Sequence, residues 1–151
     1  MAPSPDSVAI VLPLGVAVTL TFCTIIIHAL VLTPIIHFVR YELRHGHAGV
    51  LFWRDVGIVA GATLVSFTAH LIAIAMWGLV FTSCGEFSQL PAALYHSGMN
   101  YTTLGDSGHV MSPSWRLLAS LEAANGMLMF GLSTALLFAI VQRLFQTRFK
   151  D

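Results

Sequence analysis

Residues 87–113 read FSQLPAALYHSGMNYTTLGDSGHVMSP, a stretch set between two longer apolar runs. Its first part, 87–99, is apolar but too short to cross a bilayer, which takes about 20 residues of helix. It is also too apolar for an ordinary external loop. Its second part, 100–108, is polar and holds Gly105 and Gly108, and Ser112 and Pro113 then mark a turn. A short helix entering the membrane, followed by a loop that climbs back out, is the object this order of residues describes. Non-helical backbone at membrane depth is tolerated only where it is buried in protein or lines water. The stretch therefore points to a pore.

The rest of the chain supplies the membrane. Of 151 residues, 56% are hydrophobic and 9% charged, and the mean hydropathy is +0.81. A soluble domain usually carries about 25% charged residues. Seven basic and seven acidic side chains cannot cover a chain of this size with a water-facing surface. Asp6 and Arg40 are separated by 33 uncharged residues, Asp55 and Glu86 by 30, and Glu122 and Arg143 by 20. Each gap is long enough for a spanning helix. Residues 1–7 contain no Lys or Arg, so the first gap reads as a retained helix rather than a cleaved signal peptide. Cys23 and Cys84 are too few and too scattered for a disulfide framework or a zinc site.

The spans are expected at about 8–39, 56–83 and 115–146. Pro34 is expected to kink or end the first. Arg40, Arg44 and Arg54 then fall between spans one and two, and Arg143, Arg148 and Lys150 after span three. Six of the seven basic residues share one face, which the charge bias assigns to the cytoplasm. The expectation is a multi-pass protein of the cell (inner) membrane, N-terminus outside and C-terminus inside. Two units are expected: an N-terminal helix with a basic loop (1–54) and a pore domain (55–151). Trp53, Trp77 and Trp115 fall near span ends and read as interfacial anchors. Gly57 and Gly61 read as a close helix-packing pair.

The run Asn100-Tyr101-Thr102-Thr103-Leu104-Gly105-Asp106 resembles the pore signature of the potassium-channel superfamily, T-V-G-Y-G or a close variant. Leu94-Tyr95-His96-Ser97 is similar to the approach that precedes such filters. Residues 118–132, with Gly126 and Gly131, resemble the inner helix of bacterial channels with two helices per subunit. The resemblance covers roughly 56–144, with an additional helix in front. It implies an all-α membrane protein with three transmembrane helices, a re-entrant pore helix and a selectivity-filter loop (87–108), assembled as a homotetramer. It also implies an ion-binding filter of Thr103, Leu104, Gly105, Asp106 and Ser107, supported by Thr102 and Glu122, and an inner-helix hinge at Gly126 and Gly131. Filters of this kind replace an ion's hydration shell with carbonyls and a threonine hydroxyl.

The upper filter departs from the family. Asp106 stands where a tyrosine is usual and Ser107 where a glycine is, and Thr-Leu-Gly-Asp also resembles the T-V-G-D filter of bacterial non-selective sodium–potassium channels. The metal-contacting groups implied are Thr103, Leu104 and Asp106, with potassium or sodium as the permeant ion. Four Asp106 side chains would ring the mouth, a place for a divalent cation; the alternative is an Asp106 turned back to hydrogen-bond behind the filter. Weakly selective monovalent cation passage comes first among the readings and a non-conducting or divalent-binding pore-like subunit second. A haem-binding cytochrome with His28 and His70 as axial ligands is a remote third. Histidines inside spans are costly and ask for a partner. His109 lies at the mouth; Glu122 either braces the filter or sits at headgroup level. No nucleophile–base pair or phosphate-binding loop is present, so no enzyme and no organic cofactor is expected. The partners expected are further copies of the chain, lipid and inorganic cations, and no nucleic acid.

Overall fold

The computed structural model describes residues 9–46, 51–105 and 107–149, and it is helical throughout, with no strand among them. Four helices follow in order: α1 (Val11–Arg44), α2 (Phe52–Ser83), α3 (Leu90–Tyr101) and α4 (Arg116–Arg148). Of these, α1, α2 and α4 are long and apolar enough to cross a membrane. At about 1.5 Å per residue, the 34, 32 and 33 residues of these helices exceed a bilayer core of about 30 Å, so their ends reach beyond it.

The long helices alternate in direction. At one end, the C-terminal turns of α1 and α4 meet the N-terminal turn of α2. Arg54 pairs with Glu42 at 2.6 Å and Arg148 with Asp55 at 2.7 Å. At the other end, the Ala9 N–H donates to the Pro113 carbonyl at 3.1 Å, joining the approach to α1 to the approach to α4. Arg40, Arg44, Arg54, Arg143 and Arg148 thus share the first end and Arg116 lies at the second. Lys150 lies outside the described residues.

Helix α1 does not stop at Pro34; it runs ten residues further, to Arg44. Proline removes the one ladder hydrogen bond that would reach the Leu30 carbonyl, while one position earlier the Thr33 hydroxyl donates to the Ala29 carbonyl at 2.6 Å. Two further expectations need correction. Trp77 is fully buried, packed with Phe81 and Ala93 in the main core rather than at an interface, while Trp53 is exposed. A β-carbon added at Gly57 or Gly61 would meet no other part of the described chain within 4 Å, so they are not a packing pair among the described residues.

Helix α3 is the short element between α2 and α4 and packs on both. Pro91 lies in its first turn, a position where a missing N–H costs nothing. This places its start three residues after Phe87, which stays in the loop and packs on Phe81 and His96. Against α2, Gly78 lets the backbone of α3 come close: a β-carbon there would lie 2.9 Å from Leu94 Cδ2 and 3.3 Å from Leu94 Cα. Against α4, Gly126 does the same for the last turn of α3. A β-carbon on Gly126 would lie 2.0 Å from the Tyr101 carbonyl oxygen.

Candidate functional site

The C-terminus of α3 delivers the chain into the loop that the sequence singles out. Thr102 caps the helix, with its N–H on the Gly98 carbonyl (3.1 Å) and its hydroxyl on the same oxygen (2.6 Å). Thr103 then enters the left-handed region at φ 64°, followed by Gly105 at 80° and Gly108 at 70°. For the glycines this conformation is free of steric penalty; for a β-branched threonine it is a strained outlier. Two amide hydrogen bonds hold the strained turn in place, Thr103 N–H to Asn100 O at 2.8 Å and Gly105 N–H to Met99 O at 3.0 Å. Thr103, Leu104 and Gly105 are exposed, and Leu104 is 70% exposed although apolar. Asp106 lies outside the described residues.

The exposed loop is braced from behind. Ser107 resumes the described chain half-buried, its hydroxyl on Nδ1 of the buried His96 of α3. His109, exposed, packs against Phe87 at a tilt of 47° with ring centroids 4.4 Å apart, and Phe87 in turn lies against His96. The return of the chain toward α4 is clamped by Glu86, whose carboxylate accepts the Ser112 N–H (2.9 Å) and hydroxyl (2.5 Å). Nearby, burial pushes the Cys84 thiol above its ordinary value, and the Glu86 carboxylate adds to the effect. It is a free cysteine, partly buried.

Glu122 is fully buried and faces α3, where it accepts the Ser97 hydroxyl at 2.5 Å. The same hydroxyl lies 2.8 Å from the Ile74 carbonyl of α2, so Ser97 joins three helices behind the loop. Gly126 sits beneath Tyr101, as described above, whereas a β-carbon on Gly131 would meet nothing within 4 Å among the described residues beyond its own helix. Helix α4 is continuous through both glycines. Thr102, Glu122 and Gly126 thus converge on the end of α3, and Gly131 does not. His28 and His70 face each other with ring nitrogens 3.4 Å apart, and the other nitrogen of each ring also has a protein partner. Ring nitrogens so engaged present no free edge to a porphyrin.

Two members of this surround carry no motif: Asn125 and Ser133 are buried polar residues without a signature of their own, while His96 and Ser97 lie in the 94–97 stretch but their partners were not evident from it. One signal was available. Thr24 and His28, Ser66 and His70, and Glu122 and Asn125 repeat polar residues three or four apart within apolar spans. That spacing puts each pair on one helix face.

The site sets the exposed residues Thr103, Leu104 and Gly105 directly after the C-terminal end of a helix. Such a helix end carries partial negative charge, about half an electron, and attracts cations. A protein-family model described as "Ion channel" matches residues 56–143, well over half of the chain. The match starts in the first turns of α2 and ends within α4, leaving α1 ahead of it. No curated protein and no solved structure matches the chain.

Proposed function

This chain belongs to the ion-channel family, and on that footing we propose that four copies assemble around one axis to pass monovalent cations across the membrane. The observation that carries the reading is the placement of Thr102, Thr103, Leu104 and Gly105. They leave the C-terminus of a short helix that two spanning helices hold from behind. One chain supplies one such loop, a quarter of a pore.

In the assembly, α3 is the re-entrant pore helix, α2 the outer and α4 the inner helix. The Thr103 hydroxyl and the carbonyls of Thr103 and Leu104 form the inner ion sites, where a dehydrated potassium ion exchanges water for protein oxygens. Above them a ring of four Asp106 carboxylates gathers cations and offers a place for a divalent ion. With a serine and an aspartate in the upper filter, fewer carbonyl sites lie in line, and the pore discriminates weakly between potassium and sodium. In the cell (inner) membrane, the arginine-rich end faces the cytoplasm.

Reconstitution in potassium-loaded liposomes tests this reading. Wild-type protein is expected to release potassium. Gly105→Ala, which puts a β-carbon on a residue at φ 80°, is expected to cut the flux at least tenfold while the oligomer stays intact on crosslinking. Absence of flux in wild type, persisting after Asp106→Tyr with Ser107→Gly, would instead favour the non-conducting subunit.

A further inference from the structure

The spanning helices bury a polar chain that the pore loop does not require. On α1, the His28 Nδ1 lies 2.9 Å from the Thr24 carbonyl, which can only accept, so Nδ1 carries the hydrogen. Neutral His28 therefore presents Nε2 as an acceptor. Opposite it, 3.4 Å away, is Nδ1 of His70 on α2, which then is a donor. The Tyr101 hydroxyl at the end of α3 lies 3.1 Å from the same nitrogen. His70 Nε2 is left as an acceptor, and Ser133 of α4 donates its hydroxyl there at 3.1 Å. All five residues are buried, Thr24, His28 and Tyr101 completely. A second link joins the same helices, because the Thr24 hydroxyl lies 3.0 Å from Asn125 Oδ1 on α4.

The chain is satisfied in a second state as well. If His70 takes a proton on Nε2, the Ser133 hydroxyl turns from donor to acceptor and every other hydrogen bond stays. The face of Phe130 stacks on His70 with centroids 4.3 Å apart. The titratable groups facing His70 are His28 from α1 and Tyr101 from α3. From α4 it meets Ser133 and Phe130, with Glu122 about three turns away on that helix and bonded to Ser97.

We infer that the His28–His70 pair is a positioning device: through it α1 holds Tyr101, one residue before the Thr102–Thr103 loop, in register with Ser133 of α4, in an arrangement that changes when His70 is protonated. The pair gives the helix ahead of the pore region a task, that of tying the foot of the filter to the inner helix. The inference rests on the channel reading for its effect on conduction, but not for the hydrogen-bonded chain itself.

Two readouts test it on the full chain in lipid nanodiscs and bilayers. In imidazole ¹⁵N spectra, the signals of His28 and His70 are expected to move together on acidification, and His28 is expected to shift in Ser133→Ala and Tyr101→Phe. In bilayers, wild-type current is expected to change at least threefold between neutral and acid pH, and His70→Gln to flatten that profile. Tyr101→Phe, which keeps the buried ring, is expected to change the current while the histidines still titrate. An unchanged pH profile in His70→Gln, or a His28 signal indifferent to Ser133 and Tyr101, overturns the proposal. If no variant conducts, the channel reading fails and the ¹⁵N result still decides whether the pair links Tyr101 to α4.

Discussion

Gly126 and Gly131 are five residues apart on the same helix, yet a methyl group on each meets opposite surroundings. At Gly126 it runs into the Tyr101 carbonyl at 2.0 Å, a backbone atom that cannot swing away. Overpacking of this kind costs about 1–3 kcal/mol. Gly126→Ala is therefore expected to lower the unfolding temperature in detergent, whereas Gly131→Ala, with open space and a gain of up to about 1 kcal/mol in helix propensity, should match or exceed wild type. Equal effects at the two positions would contradict the packing described. Thr103 gives the second residue-level prediction. At φ 64° it carries about 1–2 kcal/mol of backbone strain that glycine would not. Thr103→Gly is expected to raise thermal stability and to weaken any preference of potassium over sodium by removing a hydroxyl from the inner site. The glycine spacing was visible in the sequence and suggested a bend; the contact beneath Tyr101 was not. It depends on where α3 docks, a long-range fact that spacing along one helix does not contain.

At the scale of elements, α3 is held by a few specific contacts. It is 12 residues long, too short to be stable alone in water. Gly78 admits its backbone, Ser97 bonds both α2 and α4, and Gly126 receives its last carbonyl. Ser97→Ala would leave the buried Glu122 carboxylate, and the part-buried Ile74 carbonyl, without that donor, at a cost of about 1–3 kcal/mol. The expected result is a lower unfolding temperature for Ser97→Ala than for wild type, measured on the same oligomer. The three long helices were legible from the charge gaps alone, because a bilayer imposes one length on every span. Their ends were less so. Helix α1 continues past Pro34, since a proline removes a single ladder bond of a long helix, and α3 begins only at Leu90 because Pro91 suits a first turn and Phe87 is drawn into the aromatic cluster with His96 and His109. The polar chain from Ser133 to Thr24 was hidden for a related reason. Each histidine was visible as a costly intramembrane residue, but its partners lie on other helices.

For the molecule as a whole, the alternating helices collect five arginines at one end and the loop of 102–105 toward the other. Much of the apolar surface stays exposed in a single chain: Val18, Phe22, Leu64, Phe67, Leu128 and Phe138 all face outward. Lipid accounts for part of that surface, and the proposed tetramer accounts for the rest. The central claim is that the loop after α3 forms a cation pathway whose upper part no longer enforces potassium selectivity. The most direct test is the reversal potential of purified protein in a planar bilayer, with potassium on one side and sodium on the other. A reversal near zero, moving toward the potassium equilibrium potential in the Asp106→Tyr, Ser107→Gly double variant, is the predicted result. A wild-type reversal already at the potassium equilibrium potential would contradict it.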